Sequence, residues 1–365
     1  MTTVGIIGAG QLGRMLGCAG ESLDLEFVFL DPADNPPART VGPVLSKPFD
    51  SAEGLAMLSR CDVVTYEFEN VPVAALEELS RKVPVFPPAI ALEHAQDRLR
   101  EKRLFEALDI PVPAYRTVSS RKDLADAMRS IGLPLVLKTR RLGYDGKGQS
   151  IVRNEHDADR AWNAGKGVGQ ASLLIAEEWV PFDREVSVIG ARSPGGQIVV
   201  YPMTENEHRN GILHQSKAPT DGAEALRAAT RHLTELLTHL DYVGILALEL
   251  FVIGSRVLAN EFAPRVHNSG HWTIEGAKTS QFGNHLRAIL DRPLGEAASI
   301  GHAGMINLVG SLPERPRLLT DAGFHLHEYG KEARPGRKLG HLTIVAPDAA
   351  TRDQKLSNAL KILGY

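Results

Sequence analysis

Residues 244–263 read GILALELFVIGSRVLANEFA, and the fold of this 365-residue chain turns on them. Two apolar, β-prone runs, Gly244–Ile253 and Val257–Ala263, are separated only by Gly254-Ser255-Arg256, a connection short enough to predict a hairpin. Glu249 and Glu261 interrupt these runs. If the strands pair around Ser255, the two glutamates face each other on one side of the hairpin, with Cβ atoms about 5 Å apart. Two carboxylates so placed in an apolar setting repel unless something compensates. A hard divalent cation does so, and magnesium takes one or two carboxylates together with nucleotide phosphates. The plainer alternative leaves one glutamate in solvent and pairs the other with an arginine.

Working outward, Glu224–Leu240 carries Leu226, Ala229, Leu233, Leu236, Leu237 and Leu240 at helical spacing, so a long amphipathic helix precedes the hairpin. Upstream, Leu133–Thr139, Leu173–Trp179, Arg184–Ala191 and Gln197–Met203 read as strands. Lys138 closes the run LPLVLK, and Arg140, Arg141 and Lys147 follow, interleaved with Gly143, Gly146 and Gly148. Glycines among cations suit a loop that closes over a polyphosphate, although a solvated basic loop has the same composition. Ala176-Glu177-Glu178-Trp179-Val180 ends a strand and leads to Arg184-Glu185-Val186. Such a strand end offers backbone groups to an adenine, while a nearby carboxylate takes ribose hydroxyls.

The N-terminal region alternates short strands (Val4–Ala9, Glu26–Asp31, Cys61–Phe68) with helix, which implies parallel βαβ units. Gly8-Ala-Gly10-Gln-Leu-Gly13 fits the dinucleotide fingerprint, with Asp31 at the end of the next strand. A nicotinamide enzyme is therefore one reading. The loop itself asks only for an anion or a tight turn. Ile90–Leu108 is charged and helical in period. Past Leu294, strands are expected near Met305–Val309, His325–Tyr329 and His341–Val345, with a helix near Lys355–Leu363. Lys331, Arg334, Arg337, Lys338 and His341 cluster there around Pro335-Gly336, as a ribose 5′-phosphate site or an exposed basic turn would require. His267, Asn268, Ser269 and His271 follow Glu261 on a loop, polar groups gathered beside the expected metal strand.

Length predicts two or three domains. Hydrophobic residues at 43% and charged residues at 23% are those of a globular chain, and a net charge of −3 speaks against nucleic acid or anionic lipid as partner. Cys18 and Cys61 cannot make a disulfide framework and point to free thiols in a reducing compartment. The sequence has no uncharged apolar run of ~18 residues and no basic leader, so membrane and secreted classes recede and a cytoplasmic enzyme is expected.

A strand-end lysine, a glycine-rich lid, an E-E-x-V hinge, a following glutamate and two glutamates on a late hairpin resemble, in that order, the ATP-grasp superfamily. GAGQLGRML at Gly8–Leu16, YEFENVP at Tyr66–Pro72, GYDGKGQ at Gly143–Gln149, NEFAPRVHNSGHWT at Asn260–Thr273 and YGKEARPGRKLGH at Tyr329–His341 resemble, more narrowly, the N5-carboxyaminoimidazole ribonucleotide synthases.

The resemblance implies an α/β ATP-grasp fold: a Rossmann-like domain over 1–100, the ATP-grasp domain over 101–295 with its lid at about 112–182, and a small β-rich C-terminal domain over 296–365. It implies ATP- and bicarbonate-dependent carboxylation of aminoimidazole ribonucleotide through carboxyphosphate, with ADP and phosphate released. ATP would be contacted by Arg98, Lys138, Gly143, Tyr144, Asp145, Gly146, Lys147, Gly148, Gln149, Glu177, Glu178, Trp179, Val180, Glu185, His208, Asn260 and Glu261. Glu249 and Glu261 would hold one or two magnesium ions. Gln11, Leu12, Glu67, Tyr144, Asp145, Arg265, Lys331, Arg334, Arg337 and Lys338 would surround the ribonucleotide. Arg265, Asp145, His267 and Asn268 would be catalytic. A homodimer is implied, and a separate mutase as recipient of the product.

One departure stands out. Ala263 occupies the position, two residues after the last metal glutamate, where many ATP-grasp enzymes carry asparagine. Two readings stay open: a second magnesium with fewer protein ligands, or Asn268 in the missing role. Another ATP-grasp ligase and the nicotinamide oxidoreductase remain the alternative functions.

Overall fold

The computed structural model describes residues 1–143, 146–166, 173–313 and 323–364. Its N-terminal sheet is parallel, with β1 (Thr2–Ile7), β2 (Leu25–Asp31), β3 (Val44–Ser46) and β4 (Val63–Tyr66) in the order β3-β2-β1-β4. Helices Gln11–Gly20, Ala52–Leu58 and Val73–Ser80 connect and cover it. Continuous apolar runs are what a parallel strand covered on both faces requires: Val4, Ile6, Ile7, Val63 and Val64 are buried. Cys61 lies in this core, whereas Cys18 is exposed.

A second, antiparallel sheet joins β5 (Tyr115–Val118), β6 (Leu135–Thr139), β7 (Gln149–Val152) and β8 (Leu174–Glu178) in the order β5-β8-β6-β7. Helices Arg121–Ile131 and Glu155–Lys166 back it, and Leu124, Leu135, Leu137, Trp162 and Leu174 form its core.

The third sheet has nine antiparallel strands. They are β9 (Arg184–Arg192), β10 (Ile198–Val200), β11 (Thr204–Arg209), β12 (Ile212–Ala218), β13 (Gly244–Ile253), β14 (Arg256–Ala263), β15 (His302–Val309), β16 (Phe324–Glu328) and β17 (Lys338–Ala346). Eight follow the order β14-β13-β9-β11-β12-β15-β17-β16, and β10 pairs with β9. The C-terminal strands enter through β12–β15 pairing, so the last segment of the chain extends a sheet already formed. Helix Ala349–Leu363 buries Leu356 and Ala359 on Ile306, Leu342 and Ile344. No helix among the described residues is long and apolar enough to cross a membrane.

The structure differs from expectation at several points, and the short strands β3, β5 and β7 are additions to those read from the sequence. The 90–108 segment is two helices, Ala89–Ala95 and Arg98–Ala107, because Asp97 caps the second by accepting the Leu99 N–H at 3.0 Å. The Gln197–Met203 strand shortens to Ile198–Val200, and β11 and β12, unread in the sequence for want of a clear apolar period, form a hairpin. The β13–β14 turn is tighter than expected: Ile253 pairs with Arg256, leaving only Gly254 and Ser255 between them. Gly254 has φ of 59°, the left-handed setting that a two-residue hairpin turn favours at its first position.

Candidate active site

The three sheets meet around one cavity of about 1680 Å³. The hairpin contributes Glu249, Asn260 and Glu261, and the loop after it contributes Arg265, His267 and Asn268. Glu185 on β9 and His208 on β11 line the same wall. The second sheet supplies Lys138, Gln149, Glu177, Glu178, Trp179 and Val180, with Gly143, Gly146 and Lys147 from the lid loop. Arg98 enters from its helix, and Gln11, Leu12 and Glu67 from the N-terminal sheet. Lys331, Arg334, Arg337 and Lys338 close the remaining side. Gly148 is set back from the cavity, its carbonyl accepting the Thr139 N–H at 2.8 Å. Tyr144 and Asp145 lie outside the described residues.

Glu249 and Glu261 are direct cross-strand partners, as their spacing suggested, but by another route. With a two-residue turn, regular pairing would set Glu249 opposite Asn260. A β-bulge between Glu249 and Leu250 inserts Asn260 as an extra residue on β14 and brings Glu261 into place. Each carboxylate already has a basic side chain beside it. Glu249 Oε1 lies 3.0 Å from His267 Nε2, and Glu261 Oε2 accepts from Arg98 Nη1 at 2.8 Å. Burial works to raise the Glu249 carboxyl, but the His267 hydrogen bond and charge, with His208 and Lys338, bring it down to about 2. Glu261 thus has the arginine partner of the plainer reading, while Glu249 is sheltered rather than solvated. The donors present suit a hard cation: two facing carboxylates, with Asn260 Oδ1 and both amide atoms of Asn268 buried and unpartnered beside them.

Behind the hairpin, Lys138 Nζ donates to Glu177 Oε2 at 2.9 Å, and Lys102 Nζ lies 3.6 Å from the same oxygen. Glu177 is only 2% exposed. Burial alone would raise its pKa, yet Lys102, Lys138 and Arg98 together hold it down at about 2. Its carboxylate therefore serves the lysines rather than a ribose. Glu178 is exposed, and its Oε2 accepts the Ala114 N–H at 3.3 Å. Arg140 makes a two-point contact with Asp97 at 3.0 and 2.6 Å. His208 Nδ1 lies 2.8 Å from Glu185 Oε2. Burial opposes charging of this imidazole, but the hydrogen bond to Glu185 and the charges of Glu249, Glu185 and Glu261 outweigh it and raise the pKa.

At the N-terminal loop, the acids turn inward. Asp31 accepts from the Ala9 and Ala33 N–H groups, each at 2.8 Å, and so braces the glycine turn instead of presenting itself to a ribose. Glu67 Oε1 accepts the Gly10 N–H at 2.7 Å and fills the cradle where a pyrophosphate would rest. Burial lifts Glu67 to about 7, against the Gly10 hydrogen bond and the Arg265 charge. Lys331 contacts Gln11 Oε1 and is lowered to about 8 by burial and by Arg337, Lys338 and Arg334, against the opposing pull of Glu67. Arg265 pairs with Glu69 at 2.6 Å and donates to Val266 O at 2.9 Å. Lys102, Asp97 and Glu69 were missed in the sequence. Only the acid-rich YEFENVP segment carried a signal that could have found one of them.

A nucleotide-sized cavity between an antiparallel lid sheet and a carboxylate-bearing hairpin defines an ATP-grasp enzyme, and residues 103–282 match the ATP-grasp domain. Residues 1–96 match the ribonucleotide synthetase preATP-grasp domain, and residues 303–355 the phosphoribosylaminoimidazole carboxylase C-terminal domain. The N5-carboxyaminoimidazole ribonucleotide synthase of Pseudomonas aeruginosa is 44% identical over 355 residues, 97% of each chain. The crystal structure of that synthetase from Thermus thermophilus superposes with a TM-score of 0.93 at 46% identity over 99% of each chain. The Aspergillus clavatus enzyme, solved in complex with ADP and 5-aminoimidazole ribonucleotide, gives 0.91 at 30% identity over 100% of this chain and 98% of that one. The chain belongs to the N5-carboxyaminoimidazole ribonucleotide synthase family, ligases that carboxylate aminoimidazole ribonucleotide at the expense of ATP in purine biosynthesis. The nicotinamide reading falls with that result and with the inward-turned Asp31 and Glu67.

Proposed function

We propose a division of labour within this cavity, carried by one observation: the carboxylate pair Glu249–Glu261 and the basic Lys331–Lys338 segment line the same space. In this reading Arg98, Lys138, Lys147 and Gln149 hold the triphosphate, and the Glu177–Val180 strand end carries the adenine. Glu185 and His208 take the ribose of ATP. One or two magnesium ions held by Glu249 and Glu261, with the unpartnered amide oxygens of Asn260 and Asn268 as further donors, supply charge neutralisation of the phosphates. Arg265, His267 and Asn268 hold bicarbonate for attack on the γ-phosphorus. This step is chiefly positioning and charge stabilisation. The Gly143–Gly148 loop excludes water from the carboxyphosphate so formed. The exocyclic amine of the ribonucleotide then captures the carboxyl group, and the phosphate left in the site, or Asp145, takes its proton. Lys331, Arg334, Arg337 and Lys338 bind the ribose phosphate, and Gln11, Leu12, Glu67 and Tyr144 border the imidazole.

The three parts of the chain, over 1–100, 101–295 and 296–365, each bring one wall. The same reading places the enzyme in the cytoplasm as a homodimer that passes its product to a separate mutase. The test is ADP release from Mg-ATP in bicarbonate buffer with labelled carbonate. Release is expected to depend on aminoimidazole ribonucleotide and to place label in the product, and Glu261→Ala is expected to abolish it with the fold retained. Normal turnover by Glu261→Ala would overturn the metal assignment.

A further inference from the structure

β14 is the outer strand of its sheet, so half of its peptide groups have no strand to pair with. Helix Arg98–Ala107 covers that edge with side chains. Lys102 Nζ donates to Asn260 O at 2.9 Å and Ala259 O at 3.3 Å. The adjacent Glu101 Oε1 accepts the Phe262 N–H at 2.7 Å, and Pro111 O accepts the Ala259 N–H at 2.7 Å. Two N–H groups and two carbonyls along 259–262 thus find the partners that a neighbouring strand would otherwise supply. The residues served are those of the bulge that turns Asn260 and Glu261 into the cavity. Lys102 is 1% exposed and does not line the cavity. A charge so buried needs partners, and the ammonium has two carbonyls and, at 3.6 Å, the Glu177 carboxylate that also holds Lys138. Arg98, Glu101 and Lys102 share one helix face, so the group that meets Glu261 and the groups that brace its backbone move as one body.

We propose that Lys102 is a positioning residue for the phosphate and metal end of the site. It fixes the bulge that aims Asn260 and Glu261 and ties it to the Glu177–Lys138 pair on the second sheet. The inference rests on the site reading above and adds a residue that touches neither substrate.

The experiment is Lys102→Met, which keeps the length of the side chain and removes its charge and donors. The KM for Mg-ATP and the magnesium requirement are expected to rise about 10- to 100-fold, as when the support of a metal ligand is lost, while the KM for the ribonucleotide changes by no more than about two-fold. Lys102→Arg, which keeps charge and donors, is expected to recover part of the loss. Amide hydrogen exchange at Asn260–Phe262 is expected to quicken in Lys102→Met. Wild-type KM for Mg-ATP in Lys102→Met overturns the proposal, and so does an equal loss for both substrates. If Lys102→Met does not fold, the comparison is made on Lys102→Gln, which removes the charge and shortens the reach, and where an unshifted KM for Mg-ATP overturns it. Glu261→Ala assayed in parallel separates the two failures. Full activity there removes the site reading itself, whereas an inactive Glu261→Ala beside a normal Lys102→Met removes only the role given to Lys102.

Discussion

Replacing Glu177 by glutamine removes the one carboxylate shared by Lys138 and Lys102, at 2.9 and 3.6 Å, and keeps nearly the same volume. The structure sets the magnitude. The carboxyl is held at about 2 against an ordinary 4.5, and a depression of about 2.5 units at 1.36 kcal/mol each is about 3 kcal/mol of preference for the folded, ionised form. Breaking a buried pair from one side costs about 3–5 kcal/mol, so two separate arguments converge on the same size. The sign follows from the direction of the shift. A carboxyl whose folded pKa is depressed stabilises the fold fully above its unfolded pKa and loses that contribution as pH falls through the folded one. The gap between wild type and Glu177→Gln is therefore widest at pH 7. It narrows by roughly 1 kcal/mol at pH 4 and by more than half at pH 3. Urea unfolding followed by fluorescence of the buried Trp162 and Trp272 reads it directly. A gap under about 1 kcal/mol at pH 7, or one of constant size from pH 7 to pH 3, would refute the reasoning.

Two further outcomes are expected. Gly8→Ala places a Cβ 2.7 Å from Glu67 Oε1 at a backbone φ of 99°, and is expected to lower stability by about 1–3 kcal/mol, seen as a drop in melting temperature. An unchanged melt would mean that Glu67 does not pack over the loop. Lys331→Met is expected to raise the KM for the ribonucleotide about ten-fold or more while leaving that for Mg-ATP unchanged, since it removes the phosphate partner proposed above, a lysine that sits against Gln11 of the N-terminal region. Steady-state titration of each substrate in turn would expose a shift in the wrong one.

Much of this site was legible because it depends on spacing along one strand or loop. The Glu249–Glu261 pair, the lysine closing β6 and the basic 331–338 segment are local facts, and the fold had only to bring them together. What escaped depends on contacts between distant segments. The Arg98–Arg103 run, RLREKR, has the composition of a solvated helix face, yet Glu101 and Lys102 are buried in it. Their partners, Asn260 O, Phe262 N and Glu177, are 75 to 161 positions away. The bulge escaped for the same reason. A spacing of twelve positions between the glutamates suits either a three-residue loop or a two-residue turn with one inserted residue, and only the second brings Asn260 into the site. That choice also recasts the opening alternative, in which arginine pairing of a glutamate argued against a metal site. Glu261 is paired with Arg98 and Glu249 with His267, yet both partners line the cavity the carboxylates face. In the proposed reading, magnesium would go to the carboxylates and the polyphosphate oxygens to Arg98 and His267, so that each side chain would exchange one partner for another. Pairing of a glutamate with a basic side chain and a metal role for that glutamate are therefore compatible readings.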